Sequence, residues 1–300
     1  MKNVKNAYWQ IDNKIPQICG VKGVETLPVK LAWEKYSWTK KYFSKKPKYG
    51  YFIWVKKQPK SPLFTCITIA NKNIKQELQN LLVVEKNLKV ELQGTCNVLK
   101  RNLEGVHRAK GKIILKQGCV LKYEHIHSWG DRDIIEPNYE FFLEKDAKLD
   151  YNYKILFSPK LLKTKTLITV LENSSANINI VGNFSKTKAE IRDVLILKQD
   201  NASGTVKLRL VGSKNSEITA YSQVKAQSES KGHLDCQGLL VDRGSKISLI
   251  PELICENKKA QITHEASIGK ISEEALNYLR TRGLTEKQAI DLIVNGFLEK

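Results

Sequence analysis

A mainly β protein with a helical C-terminal tail is the fold class this sequence predicts, on three observations. From about residue 62 to 268, short alternating or β-branched segments recur, among them Leu88-Lys89-Val90-Glu91-Leu92, Lys112-Ile113-Ile114-Leu115, Val206-Lys207-Leu208-Arg209-Leu210 and Lys246-Ile247-Ser248-Leu249-Ile250. Turn-forming residues separate them at Gly94, Gly118, Asn173 to Ser175, Asn201 to Gly204 and Gly212 to Asn215. Strands then recur roughly every 8–12 residues with few helical windows between them, the rhythm of an all-β body. Periodicity leaves a sandwich, a barrel and a parallel β-helix open. No fixed repeat is present, so a β-helix here is an irregular one.

The chain divides into an N-terminal region, 1–61, a β core, 62–270, and a C-terminal helical region, 271–300. The first region is small and mixed, with a helix expected across Val29 to Trp38. Residues 1–60 hold 14 lysines against three acidic residues (Asp12, Glu25, Glu34), and four of the five tryptophans: Trp9, Trp33, Trp38 and Trp54. Lysines that track phosphates and rings that stack on bases are the composition of a single-strand nucleic-acid binder. A cap that buries its rings and leaves its lysines wet has the same composition. No nucleic-acid motif accompanies the segment, which favours the cap.

In the last region Ser272 N-caps a helix through Glu273, Glu274, Ala275, Leu276 and Tyr278 that stops at Gly283, after Arg280 and Arg282. Thr285 opens a second helix, with Gln288 completing a capping box. Its apolar residues Ala289, Ile290, Leu292, Ile293 and Phe297 fall close to helical spacing.

The chain has 300 residues and a formal charge of +19, of which +11 lies in residues 1–60. That length buries a sizeable core, and 41% apolar residues argue against intrinsic disorder. The longest apolar runs, such as Leu81-Leu82-Val83-Val84, are far short of a membrane span, and Lys2, Lys5, Asp12 and Lys14 break up any signal peptide. A cytoplasmic protein is expected. Its six cysteines are then reduced thiols, and the lack of a CxxC pair argues against a zinc ribbon or a thioredoxin-type site. There is no phosphate loop, dinucleotide fingerprint, nucleophile elbow or HExxH, so nucleotide energy has to come from a partner.

Histidines and cysteines form two groups. In the first, Cys96, His107, Cys119, His125 and His127 lie between residues 96 and 127. On a strand Tyr123 to Trp129, a period of two places His125 and His127 on one face, where two imidazoles can share a divalent metal or simply pack. The second is Cys236, Cys255, His264 and Glu265. A thiolate, a carboxylate and an imidazole would make an incomplete iron or zinc site open to exchange. Adjacent strand residues face opposite ways, so His264 and Glu265 share one site only where the strand bends or ends.

The run Thr263-His264-Glu265-Ala266-Ser267-Ile268-Gly269-Lys270-Ile271 resembles the C-terminal signature of the SufB/SufD iron–sulfur cluster assembly family. Tyr278-Leu279-x-x-Arg282-Gly283-Leu284 and Ile293-Val294-Asn295-Gly296-Phe297 continue the likeness. The pair His264-Glu265 is of the SufB kind, since SufD-type chains have glycine at the second position. Upstream, Gln76 to Val84 is similar to the family's strand entering the core. Gly94-Thr95-Cys96 is similar to its Gly-Cys-Thr with two residues exchanged, and His127-Ser128-Trp129 to its His-Asn-Trp. The likeness covers about residues 75–300. Cys236 departs from it in standing in Asp-Cys-Gln-Gly, and the chain lacks the long N-terminal extension of a SufB, so it looks like a compact SufB-type scaffold.

That resemblance implies a right-handed parallel β-helix and a transient iron–sulfur cluster of unspecified type built on a non-catalytic scaffold. It places the cluster at Cys236, Glu265 and His264, and makes Cys96 the point where sulfur from a cysteine desulfurase or other donor enters. A SufC-type ATPase would dock on the C-terminal region through Tyr278, Arg282, Gly283 and Phe297, and the chain would pair with itself as a homodimer through the β-helix. Two other classes compete: the basic single-strand nucleic-acid binder, and a zinc hydrolase using His125 and His127.

Overall fold

The computed structural model describes residues 7–299. It begins with β1 (Ala7–Ile11), β2 (Lys14–Ile18), β3 (Val24–Pro28), helix α1 (Val29–Lys35), a 3-10 helix (Ser37–Tyr42), β4 (Tyr51–Val55) and β5 (Leu63–Ile69). Longer strands follow: β6 (Lys75–Val84), β7 (Lys89–Val98), β8 (Val106–Leu115), β9 (Val120–Ser128), β10 (Ile134–Leu143), β11 (Lys148–Phe157) and β12 (Leu161–Val170). Then come β13 (Ser175–Ser185), β14 (Lys188–Leu197), β15 (Ser203–Ser213), β16 (Glu217–Ala226), β17 (Lys231–Leu240), β18 (Lys246–Cys255) and β19 (Gln261–Lys270). Helices α2 (Glu273–Thr281) and α3 (Glu286–Glu299) close the chain.

From β4 onward successive strands alternate between two sheets, ordered β2-β1-β5-β7-β9-β11-β13-β15-β17-β19 and β3-β4-β6-β8-β10-β12-β14-β16-β18. Apart from the antiparallel pairs β1/β2 and β3/β4, neighbours run parallel. The fold is mainly β, a parallel β-solenoid of about eight turns with a C-terminal helical region. Of the three architectures that strand rhythm leaves open, this is the one formed. The missing repeat has a simple cause. One turn advances 31 residues from Lys75 to Val106, 28 from Val106 to Ile134 and 27 from Ile134 to Leu161, so no single period holds.

Local chemistry makes the corners. Asn87, Asn173, Asn201 and Asn215 adopt positive φ (60°, 56°, 59° and 61°), a conformation Asn tolerates because its short side chain bonds locally. Between corners, in-register parallel pairing puts each inward residue directly over the inward residue of the next turn. Leu208 thus pairs with Cys236, and Ile180 with Leu208. Gly111 marks one tight place inside. A Cβ there would lie 2.3 Å from the Tyr139 ring, so glycine is what lets that ring in.

Two elements cover the outside. At the N-terminal end, Ala32, Phe52, Leu81, Val83 and Ile114 form a buried cluster, with Tyr36, Trp38, Tyr42, Phe43 and Trp54 packed against it. Trp38 meets Trp54 edge-on at 5.1 Å, and Trp33 meets Phe43 at 5.9 Å. Trp33, Trp38 and Trp54, three of the four tryptophans that a single-strand binder would offer to bases, are engaged with other rings. The helix expected across Val29 to Trp38 ends earlier, at Lys35. Tyr36 turns extended (φ −121°, ψ 104°) and sets its ring tilted against Phe52 and edge-on to Trp54, and a 3-10 turn replaces the rest. At the other end, Val294 of α3 packs on Val211 and Leu239 of β15 and β17, with Ile290, Ile293 and Phe297 around them. Among the described residues no helix is long and apolar enough to cross a membrane.

Candidate functional site

Two places inside the solenoid gather the chemistry-bearing residues. The first lies between β7 and β11. Pairing sets Cys96 beside His127 and Gly94 beside His125, and the alternation of β9 turns Tyr123, His125 and His127 inward. The strand expected over Tyr123 to Trp129 forms but ends at Ser128, with the facing read from its period. Cys96 Sγ lies 3.7 Å from His125 Nε2, which lies 3.0 Å from His127 Nε2. The three ligand atoms are within 4.8 Å of one another, close enough to share a metal ion, and all three residues are buried.

Protons in this cluster can be assigned from its one obligate donor. The Trp129 indole N–H donates to His127 Nδ1 at 3.1 Å, so that nitrogen is unprotonated and Nε2 carries the hydrogen. His127 Nε2–H then donates to His125 Nε2, and His125 Nδ1–H donates to the Tyr151 hydroxyl at 3.1 Å. The Tyr153 hydroxyl, 2.9 Å from His127 Nδ1, donates to it as well. Burial depresses His125 to about 3, with His107 adding to it, and drives His127 well below its usual range. Burial also pushes the Cys96 thiol well up. The cluster is therefore neutral and internally bonded. A cation at the two Nε2 atoms and Sγ must expel a proton that Trp129 keeps on His127, which sets a cost on occupancy. A zinc hydrolase also needs a coordination position open to water; His127 is 0% exposed and His125 1%.

Nearby, His107 Nδ1–H donates to Gln76 Oε1 at 2.9 Å, and burial lowers its pKa to about 3. Its Nε2 has no partner. Cys119 stands apart, its thiol donating to Glu85 O at 2.7 Å.

The second place is the last two turns. Cys236 on β17 faces inward, 2% exposed, and burial pushes its thiol up to about 11. It pairs with Ala266 of β19, while Leu234 pairs with His264 and Asp235 with Glu265. Pairing residues share a face, so His264 lies on the same face as Cys236, one step along the strand pleat. Glu265 lies on the opposite face, beside Asp235. That carboxylate is already held by Arg209, whose Nη1 and Nη2 donate to Asp235 at 2.9 and 2.5 Å. β19 runs regularly from Gln261 to Lys270, and the bend that would bring His264 and Glu265 to one face is absent. Both residues are exposed, as is Cys255 at the end of β18.

On the C-terminal helices, Ser272 Oγ accepts from Ala275 N at 3.0 Å, and Thr285 and Gln288 cap each other reciprocally. Gly283 takes φ +92° in the connecting turn, and the Arg282 guanidinium lies 5.3 Å over the Tyr278 ring. Tyr278 is 58% exposed, whereas Phe297 packs into the cluster against the solenoid. Sequence reasoning missed Trp129, Tyr151 and Tyr153 as the groups that orient the histidines, and Asp193 on β14. Strand parity could have found Asp193. It follows Ala189 and Ile191 at alternate positions and precedes Leu195 and Leu197, all inward.

The model of the SUF system FeS cluster assembly SufBD core domain matches residues 67–297. The chain is 29% identical over 315 residues to an iron–sulfur cluster assembly SufBD family protein of Methanothermobacter thermautotrophicus, covering 96% of this chain and 77% of that one. A protein of the same description from Archaeoglobus fulgidus is also 29% identical, over 296 residues, with 92% and 79% covered. The iron–sulfur cluster assembly protein SufB of Bacillus subtilis is 26% identical over 258 residues, which span 83% of this chain and 55% of that protein.

Proposed function

The chain belongs to the SufBD family of the SUF iron–sulfur cluster assembly system, and from that premise we propose that it is the compact SufB-type scaffold on which a nascent cluster is built at a subunit interface. One observation carries the reading: the last turn of the solenoid is uncapped. β19 is ten residues long, contains no proline and, among the described residues, has no neighbour on its outer side, and its residues are mostly exposed. A long bare edge of this kind is a template for another strand. Residues 62–270 supply this scaffold, and a second copy of the chain pairs edge to edge through β18 and β19.

Cys236 lies one strand in from that edge. His264 shares its face, and Glu265 stands on the outer face at the same level, so the three bracket the edge strand from both sides. A soft thiolate with harder oxygen and nitrogen donors holds iron loosely enough to hand a cluster on. Iron and sulfide are cargo in this account. Cys96, with its sulfhydryl against His125, is the group that takes sulfur from a donor. Residues 271–300 dock a separate ATPase of the SufC type, with Tyr278 and Arg282 presented on the exposed side of α2. Residues 7–61 cap the first turn.

Anaerobic reconstitution with ferrous iron and sulfide tests the reading. The parent chain is expected to gain the near-visible absorption of a cluster, and Cys236→Ser to gain less than a tenth of it. Equal cluster content in both would refute the role of Cys236.

A further inference from the structure

Behind Cys236 lies a set of buried, poorly satisfied polar atoms. Asp193 is 0% exposed, flanked by Thr166 and Ser222 on the neighbouring strands, and neither its carboxylate oxygens nor the Ser222 hydroxyl has a hydrogen bond of good geometry, although Thr166 is near enough to interact with the carboxylate. Both stand at inward positions of their strands, and Asp193 pairs directly with Ser222 across β14 and β16. Ser222 is near enough to interact with the Cys236 thiol, and the Asp193 charge reaches it too. A thiol, a hydroxyl and a carboxylate thus gather in the interior, where a poorly satisfied carboxylate is costly. Natural interiors rarely leave such a group unexplained.

We propose that Cys236, Asp193 and Ser222 form an interior binding site for a first-row divalent cation of the Fe2+ type. The proposal rests on the reading of Cys236 as a cluster-assembly residue and deepens it, naming the carboxylate that accompanies the thiolate. Glu265 cannot be that carboxylate inside the solenoid, because its register places it on the outer face with Asp235. Charge balance favours the site. A dication that displaces the Cys236 thiol proton and the Asp193 carboxyl proton leaves a neutral complex, M2+ with one thiolate and one carboxylate, and both protons go to solvent. Binding therefore removes the buried-charge penalty that either anion would carry alone.

The site lies toward the uncapped end: the residue over Cys236 on β19 is Ala266 and the residue over Ser222 on β18 is Pro251, neither of which has a long side chain. Asp193 lies one turn deeper. A cation entering from the open end meets the thiol and the hydroxyl first and the carboxylate behind them. Thiolate and carboxylate together suit borderline ions such as Fe2+, Co2+ and Zn2+ over Mg2+ or Ca2+.

Co2+ is the probe, added anaerobically to the full chain. The expected result is saturable binding with near-ultraviolet thiolate-to-cobalt absorption, absent from Cys236→Ser. Asp193→Asn keeps the shape and removes the charge, and is expected to weaken binding at least tenfold; Ser222→Ala is expected to weaken it about threefold. Thermal melting confirms that each variant is folded, and if Asp193→Asn is not, Ser222→Ala decides. Absence of a thiolate band in the parent overturns the site, as does parent-like affinity in folded Asp193→Asn. The two ideas fail separately. Parent-like Co2+ affinity in Asp193→Asn with no cluster on Cys236→Ser leaves the scaffold reading standing. Asp193-dependent Co2+ binding with full cluster on Cys236→Ser leaves the cation site and removes the scaffold reading.

Discussion

At its first turn the solenoid carries short strands and a lid; at its last it carries long strands and none. The outermost N-terminal strands, β2 and β3, have five residues each, and each contains a proline, Pro16 and Pro28. Short strands and prolines are how β proteins stop an edge from recruiting another chain. Inside that end Tyr8 is fully buried and bonds Gln10 at 2.8 Å, while the aromatic cluster covers the outer face. At the far end β18 has one proline and β19 none, and large apolar residues remain in solvent: Ile250 is 41% exposed and Ile268 45%. Helix α3 covers the outer face of β15 and β17, and among the described residues the edge of β19 is left free. One end is finished by its own chain. The other is shaped for a second one, and the candidate assembly residues lie there.

The contrast predicts different costs for substitution at the two ends. Phe52→Ala removes a fully buried ring from the N-terminal cluster and is expected to cost about 3–5 kcal/mol in denaturant unfolding. A loss below about 1 kcal/mol would mean the lid is not part of the cooperative core.

Next in size is a pH effect near the closed end. His107 is held neutral by burial, with its pKa lowered to about 3, against an unfolded value near 6.5. Between those values the unfolded chain binds a proton that the folded chain does not, so stability is full above about 6.5 and declines as pH falls toward 3. The slope is about 1.4 kcal/mol per pH unit for this one group. His107→Gln is expected to flatten the acid limb by that amount, and an unchanged limb would show the imidazole to be wet.

A smaller effect belongs to the C-terminal helices. Ser272→Ala removes the N-cap of α2 and is expected to cost about 1 kcal/mol locally, read as faster amide exchange at Ala275. Equal exchange would place the start of that helix under other control.

The solenoid body was legible because burial writes itself into alternation, as in Val206, Leu208 and Leu210 on β15. Its closure into turns was less so, since the advance per turn changes and hides the repeat. The His125 and His127 face could be read from a period of two. Their protonation could not, because it depends on Trp129, Tyr151 and Tyr153, brought in by chain corners and by the neighbouring turn. The second group was only half legible. His264 and Glu265 are adjacent in sequence, which suggests one site, yet a regular edge strand sends them to opposite faces. Asp193 was hidden beside Arg192, a charged pair that reads as surface until the strand's parity is followed. Whether an end is sealed leaves no motif at all. It follows from edge length and proline position, and from which face the flanking helices cover.

The account turns on the uncapped end being the assembly interface, and one pair of readings on Ile268→Lys tests that most directly. The side chain is half exposed in the single chain, so the variant is expected to keep its folding stability within about 0.5 kcal/mol. Light scattering and anaerobic cluster reconstitution are then measured on the same sample. A folded variant that stays monomeric and carries no cluster, beside a dimeric, cluster-bearing parent, is the predicted result. A monomeric Ile268→Lys chain with the parent's full cluster content would contradict it.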